Sequence, residues 1–289
     1  MSILVTGSNG TIGSLVVQGL ARQGASVKAL VRQAGKAALP AGVAEVVGDL
    51  TDIASMRTAL SGVRTLFLLN AVTPDEVTQA LLTLSLAREA GIERIVYLSV
   101  IHADQFTDVP HFTGKYTVER MIESLDMPVT VLRPAYFMQN DRQVQGVIEG
   151  YGVYPMPIGS SGVAMVDARD IADTAVAELL RRDRAPAPSP RVTLELVGPE
   201  PLTGESVARI WSAALGREVA YGGDDVAAFE TQMAAMGPSW LAYDMRLMMA
   251  GIQKFGMHGA EGAADRLQNM LGRPLRKYAD FVKEAVAGS

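Results

Sequence analysis

Apolar residues recur in two rhythms along the first half of the chain. Short unbroken runs read as buried strands: ILVTG at 3–7, VKALVR at 27–32, AEVVGDL at 44–50, TLFLL at 65–69, RIVYLSV at 94–100 and VTVLRP at 129–134. Between them, residues 11–23, 52–60, 75–90 and 112–125 carry the three-and-four spacing of amphipathic helices, while 33–43 fits a short helix or a loop. Gly91 ends the third of those helices and Pro134 stops the sixth strand. Apolar strands of this length alternating with helices predict an α/β fold, a parallel sheet covered by helices on both faces.

After Pro134 the rhythm loosens. AYFMQN (135–140) opens as a helix, and YGVYPMPIGSSG (151–162) has the Pro/Gly content of a surface or lid segment. Residues 167–182 form a well-marked helix with Asp167 placed to cap it, RAPAPSP (184–190) is a loop, and VTLELVG (192–198) is a further strand. From 202 onward the pattern is mostly helical, starting at Thr203 with Ser206 three residues on. Gly237 and Pro238 break that region inside MAAMGPSWLAYD and offer a hinge.

Composition removes several classes of function. At 289 residues, 48% apolar and 20% charged, the chain is ordinary globular material. A net charge of -5 with no basic run argues against nucleic acid as a partner. Cysteine is absent and the three histidines, His102, His111 and His258, lie far apart, so no metal centre is expected. There is no secretion signal and no run approaching eighteen apolar residues, which predicts a soluble cytoplasmic protein with no membrane partner.

The stretch VTGSNGTIG brings candidate chemistry. Gly7, Gly10 and Gly13 follow the first strand directly and open the first helix. That is where a chain must turn tightly, approach a diphosphate and aim free N–H groups at it. Ser8, Asn9, Thr11 and Ile12 belong to the same cofactor-binding loop; the alternative is a purely structural turn in a flavodoxin-like sheet. The loop makes the sheet Rossmann-type and suggests two regions. Residues 1–150 bind the dinucleotide, and 151–289 form a smaller, mostly helical substrate lobe, with 163–197 returning to the sheet. No Asp or Glu stands between Thr6 and Glu45, where an NAD site places a ribose-binding carboxylate. Arg32, with Lys36 and Ser8 or Asn9 nearby, instead suits the 2'-phosphate of NADPH, though Arg32 could simply stack on the adenine. Asp49, with Leu50 beside it, is placed either to meet the adenine amino group or to cap the next helix.

Five motifs in order, TGSNGTIG, GDLTD, HFTGKYTVE, LRPAYFMQN and VDARDIA, give the chain a resemblance to the NmrA-like group of atypical short-chain dehydrogenase/reductases, above all its NADPH-dependent quinone- and dye-reducing members. The resemblance spans essentially the whole chain and is densest in residues 3–175. Ordinary members of the superfamily use Tyr-x-x-x-Lys and an upstream serine. Here the lysine falls on Lys115, the tyrosine position is His111, and Ser99 matches the serine. The resemblance thus implies Lys115, His111 and Ser99 as catalytic residues, with Lys115 on the nicotinamide ribose, and Tyr136 and Phe137 beside the cofactor. Helical geometry agrees for the first pair. Positions 111 and 115 share a face, whereas Tyr116 is rotated by about 100° from Lys115 and cannot replace the missing phenol.

Asn70 and Ala71, after the fourth strand, are expected near the middle of the cofactor, although Asn70 could instead cap the following helix. Met138, Tyr154, Met156 and Trp240 are candidates for a wall around a small aromatic or conjugated substrate. The methionines at 245, 248 and 249 have the spacing of a core stripe. His111 has an imidazole suited to proton donation, yet its place directly after Pro110 also suits a structural residue. Acid machinery this sparse favours acceptors that take hydride without a strong proton donor. The expectation is an NADPH-dependent reductase of quinones, azo compounds or triphenylmethane-like dyes, acting as a monomer or homodimer. A cofactor-sensing regulator without catalysis, and another short-chain redox or isomerase enzyme, remain the alternatives.

Overall fold

The computed structural model describes residues 2–288. Its strands and helices follow the apolar rhythm closely through the first half: β1 (Ser2–Val5), α1 (Thr11–Arg22), β2 (Val27–Val31), β3 (Ala44–Val47), α2 (Ile53–Leu60), β4 (Val63–Leu68), α3 (Glu76–Glu89), β5 (Arg94–Leu98), α4 (Pro110–Ser124) and β6 (Val129–Pro134). There follow α5 (Gln145–Tyr151), β7 (Val153–Tyr154), α6 (Ala168–Arg184), β8 (Val192–Leu196), α7 (Gly204–Leu215), β9 (Ala220–Tyr221), α8 (Val226–Ala234), α9 (Ser239–Phe255), α10 (Ala263–Leu271) and α11 (Tyr278–Ala287). The strand order is β3-β2-β1-β4-β5-β6-β8, parallel from β3 through β6, with helices on both faces. The order reverses between β1 and β4, which is where sheets of this topology take their ligands.

The chain forms two compact units. One holds the residues up to Val100 together with Gly114–Arg133 and Ile171–Leu194. Its strands are nearly continuous in apolar residues because both faces are covered. Leu4, Leu66, Leu68, Ile95 and Tyr97 from the sheet pack with Met56 and Leu60 of α2, Leu84 and Ala87 of α3, and Val118 and Ile122 of α4. Polar caps set the helix starts: Asp52, not Asp49, caps α2 by accepting from the Ser55 amide at 2.6 Å.

The other unit holds Ile101–Thr113, Pro134–Asp170 and the residues from Glu195 onward. Asp167 caps α6 through the Arg169 amide at 2.7 Å, and Thr203 and Ser206 form a reciprocal capping box on α7. Gly237 and Pro238 do separate two helices, α8 and α9. Two expectations need correction. AYFMQN does not open a regular helix: Phe137 bridges to Val166 in extended form, and only a 3-10 turn follows at Met138–Gln143. The Pro/Gly-rich segment 151–162 is no surface lid, because β7 pairs with β9 while Tyr154 and Ile158 are fully buried. Local composition marked the turns there, but the apolar side chains between them decided the burial.

This second unit is tied together by one carboxylate. Asp141, fully buried, accepts from the phenols of Tyr136 (3.0 Å), Tyr154 (3.1 Å) and Tyr278 (2.5 Å), and Tyr278 in turn accepts from Trp211 Nε1 at 3.0 Å. Burial pushes the Asp141 carboxyl up to about 6, against the opposing pull of the three phenol donors. The folded state therefore holds the proton more tightly than the unfolded chain, and stability falls as pH rises from about 4 through about 6. The expected loss is roughly 3 kcal/mol over that window. Urea denaturation at pH 4.5 and 7.5 checks this. Asp141→Asn should remove most of the difference, and an unchanged pH slope in that variant would refute the assignment.

Candidate functional site

The loop after β1 is built by two close approaches in the first unit. Gly7 adopts φ +60°, and a Cβ there would sit 2.9 Å from Leu69 Cγ. Gly13, in the first turn of α1, passes so near the loop that a Cβ would lie 2.1 Å from the Gly7 carbonyl oxygen. Those two positions admit only glycine for reasons internal to the fold. Gly10 is different. A Cβ at Gly10 would meet only the Gly7 carbonyl oxygen, at 3.4 Å, and its φ of -80° is ordinary. The protein itself leaves that space open, as a phosphate approaching the backbone would require. Gly10 caps α1 without a side-chain bond, and no acidic residue stands in the first turn, so the N-terminal amides remain available to an anion. Asn9 and Thr11 are exposed there, while Ile12 is buried beneath the helix. Thr6 fixes the loop to β4, donating to the Leu69 carbonyl and accepting from its amide, both at 2.8 Å.

Arg32 and Lys36 lie exposed beyond the end of β2. The turn that carries them is held by Glu45, whose carboxylate accepts from the Gly35 amide at 2.9 Å. Ser8 is not available in the same way, since its buried hydroxyl donates to the Leu30 carbonyl at 2.6 Å. Asp49 is exposed beyond β3, with Leu50 half-buried beside it. Hydrogen bonds from the Thr51 hydroxyl and amide hold its carboxyl below the usual range, and the Arg32 charge acts in the same direction. One oxygen is thus spent on Thr51.

Beyond β4, Asn70 is buried, donates to Gln79 at 3.4 Å, and leaves its Oδ1 without a partner. A buried amide oxygen in that state costs free energy until a donor reaches it. Ala71 next to it is exposed. Asn70 does not cap α3; Asp75 occupies that position. Gly114 lets α4 come close to α3, since a Cβ would stand 2.9 Å from Val77 Cγ2. The next residue, Lys115, is buried and paired with the buried carboxylate of Glu76. Neither charge is solvated, so removing either partner would cost about 3–5 kcal/mol. Ser99 is also buried, and its hydroxyl donates to Glu119 at 2.5 Å; Arg133 grips the same carboxylate.

In the second unit, His111 Nδ1 lies 2.8 Å from Asp244 Oδ2 of α9. The carboxylate is 1% exposed, and its Oδ1 has no partner. Phe112 meets the His111 ring edge-on, Phe106 stacks on Phe112, and Phe255 leans on Phe106. Gly251 makes room for Phe106, as its Cβ would fall 3.0 Å from that ring. Trp240, Asp244, Met248, Gly251 and Phe255 follow one another by three or four residues, one stripe along α9. Trp240 and Phe255 are partly exposed. Met138 is buried, Met156 and Phe137 are half-buried, and Met248 and Met249 are core. Tyr136 and Tyr154 are committed to Asp141, which turns their phenols inward.

The sequence matches the NmrA-like family over residues 1–266. The chain belongs to that family. Among family relatives it is 34% identical to an NAD(P)H azoreductase of Xenophilus azovorans, covering 99% of this chain and 98% of the relative. It superposes on the triphenylmethane reductase of Citrobacter sp. solved with NADP(H), TM-score 0.85 and 25% identity, covering 98% of this chain and 100% of that one. A quinone oxidoreductase of Escherichia coli solved with NADPH shares the fold, TM-score 0.86 and 24% identity, over 98% of this chain and 99% of that one. The NmrA-like fold here is accordingly that of NAD(P)H-dependent oxidoreductases. No helix among the described residues is long and apolar enough to cross a membrane, and no metal-binding cluster occurs among them.

Glu76, Glu119, Asp141 and Asp244 are the groups that reading along the chain did not single out. Each is an ordinary acidic residue locally. Only the four-residue step from Trp240 to Asp244 hinted that one of them shares a face with a candidate. The glycine geometry gives a direct check by urea denaturation. Gly13→Ala is expected to lose about 3 kcal/mol through overpacking, whereas Gly10→Ala should lose no more than about 1 kcal/mol, the scale of an N-cap change. Equal losses would show that the space at Gly10 is not open.

Proposed function

We propose that this protein is an NADPH-dependent reductase that delivers hydride to a small conjugated or aromatic acceptor such as a quinone, an azo compound or a triphenylmethane-like dye. The observation that carries the reading is the cradle at the reversal of strand order. There, an uncapped helix N-terminus, a glycine whose open space the fold does not need, and the orphaned Oδ1 of Asn70 belong to one unit. The relatives named above support the choice of chemistry.

NADPH, when bound, supplies hydride. The chain's own residues bind and orient. The amides at Thr11 and Ile12, which the loop leaves free while that of Gly10 donates to the Gly7 carbonyl, would take the diphosphate, and Arg32 would take the 2'-phosphate with Lys36 and Asn9 nearby. The free carboxylate oxygen of Asp49 meets the adenine amino group, with Leu50 against the ring. Asn70 Oδ1 accepts from the cofactor beside Ala71. Lys115 holds the nicotinamide ribose hydroxyls while Glu76 keeps its ammonium in place. Trp240 foremost, with Met156, offers apolar surface to the acceptor. The enzyme works in the cytoplasm as a monomer or homodimer.

Two measurements test this. Calorimetry should show NADPH binding tighter than NADH, and Arg32→Ala should bring the two within about threefold; a wild-type preference for NADH would remove the phosphate assignment. Following NADPH oxidation against a panel of quinones, azo dyes and triphenylmethane dyes should show turnover. Tight cofactor binding without turnover of any of them would move the protein to the regulatory reading.

A further inference from the structure

We infer that His111 and Asp244 form a proton-donating pair, with His111 the catalytic acid and Asp244 its positioning residue, and that the pair serves neutral acceptors in particular. The inference rests on the reductase reading and deepens it, because it names which acceptors the site is equipped for.

The geometry is that of an oriented imidazole. Asp244 Oδ2 holds Nδ1 at 2.8 Å, and no group among the described residues engages Nε2. The carboxylate is 1% exposed and lacks a partner on Oδ1, so it offers the ring a desolvated counter-ion that water does not screen. The His111 side chain is itself only 9% exposed, enough for water to return a proton and too little for the ring to be a solvated surface group. The edge of Phe112 limits its rotation. A histidine serving only to pin α4 to α9 would be satisfied by a neutral partner. A buried carboxylate is the more costly choice unless the ring has to carry charge. Asp244 also lies one turn from Trp240, the partly exposed aromatic that is the foremost substrate candidate.

The chemistry separates two acceptor classes. Hydride transfer breaks the C4–H bond of the reduced nicotinamide, leaves NADP⁺ and moves two electrons with one hydrogen nucleus. A quinone receiving that hydride at one carbonyl oxygen becomes the hydroquinone monoanion. It needs one further proton at the other oxygen, which comes from His111 Nε2–H. An azo compound likewise needs one proton beyond the hydride to reach the hydrazine. The ring that has given its proton keeps Nδ1–H on Asp244 and regains Nε2–H from solvent. A triphenylmethane cation forms a C–H bond with the hydride and is neutral at once; no proton enters. A positioned acid contributes about 10²–10⁴-fold where a proton is needed and nothing where it is not.

The experiment compares His111→Gln and Asp244→Asn with wild type on one quinone and one cationic triphenylmethane dye, using NADPH throughout. The ratio of quinone kcat to dye kcat should fall about 10²-fold in His111→Gln and at least about tenfold in Asp244→Asn. A ratio within about threefold of wild type in both would overturn the pair, since a structural pin lowers both substrates alike. A wild type that turns over neither substrate would instead overturn the reductase reading itself. A second readout needs no turnover. With three histidines in the chain, imidazole ¹⁵N shifts can be assigned, and neutral His111 should carry its proton on Nδ1 in the wild type and lose that preference in Asp244→Asn. An Nε2–H tautomer in the wild type would refute the arrangement.

Discussion

The absent side chain at Gly13 is the contact on which the rest of the first unit depends. With only hydrogen on that α-carbon, α1 packs to the point where a methyl would overlap the Gly7 carbonyl oxygen. That approach sets the helix directly behind the first strand and turns its free amides outward at the place where the strand order reverses. The Thr6 hydroxyl then ties the same turn to the end of β4. Asn70, one residue beyond, has its orphaned oxygen on the neighbouring strand end for this reason. Close packing in one place thus leaves a helix N-terminus open without any charged side chain beside it.

Four buried carboxylates each organise a cation or a set of donors. Glu76 restrains Lys115, Glu119 gathers Ser99 and Arg133, Asp141 gathers three phenols, and Asp244 holds His111. In a low-dielectric interior an unpaired charge is expensive, so these pairs fix side-chain positions more firmly than packing of flexible stems alone. The departures differ in meaning. Asp141 is saturated with donors and acts as a structural hub. Asp244 and Asn70 each retain an acceptor that no described group satisfies.

The chain belongs to the NmrA-like family, and His111 stands one helical turn before Lys115. Taken along the chain, a lone His111 after a proline looked like weak acid machinery. The buried partner on α9 changes that picture, because Asp244 holds the imidazole in one orientation.

By itself the sequence determined the layered fold, the strand and helix positions of the first half, and the glycine turn. These depend on periodicity, on backbone conformations open only to glycine and on caps such as Thr203 with Ser206, all of which act within a few residues. Tertiary structure decided what lies far apart in the chain. It buried Tyr154 and Ile158 within the segment 151–162 despite its prolines and glycines, spent Ser8 and Ser99 on internal acceptors, drew Tyr136 and Tyr154 to Asp141, and brought Asp244 to His111 across 133 positions. A carboxylate's neighbours depend on how helices stack, and no local pattern records which of several acidic residues will be desolvated against a given base.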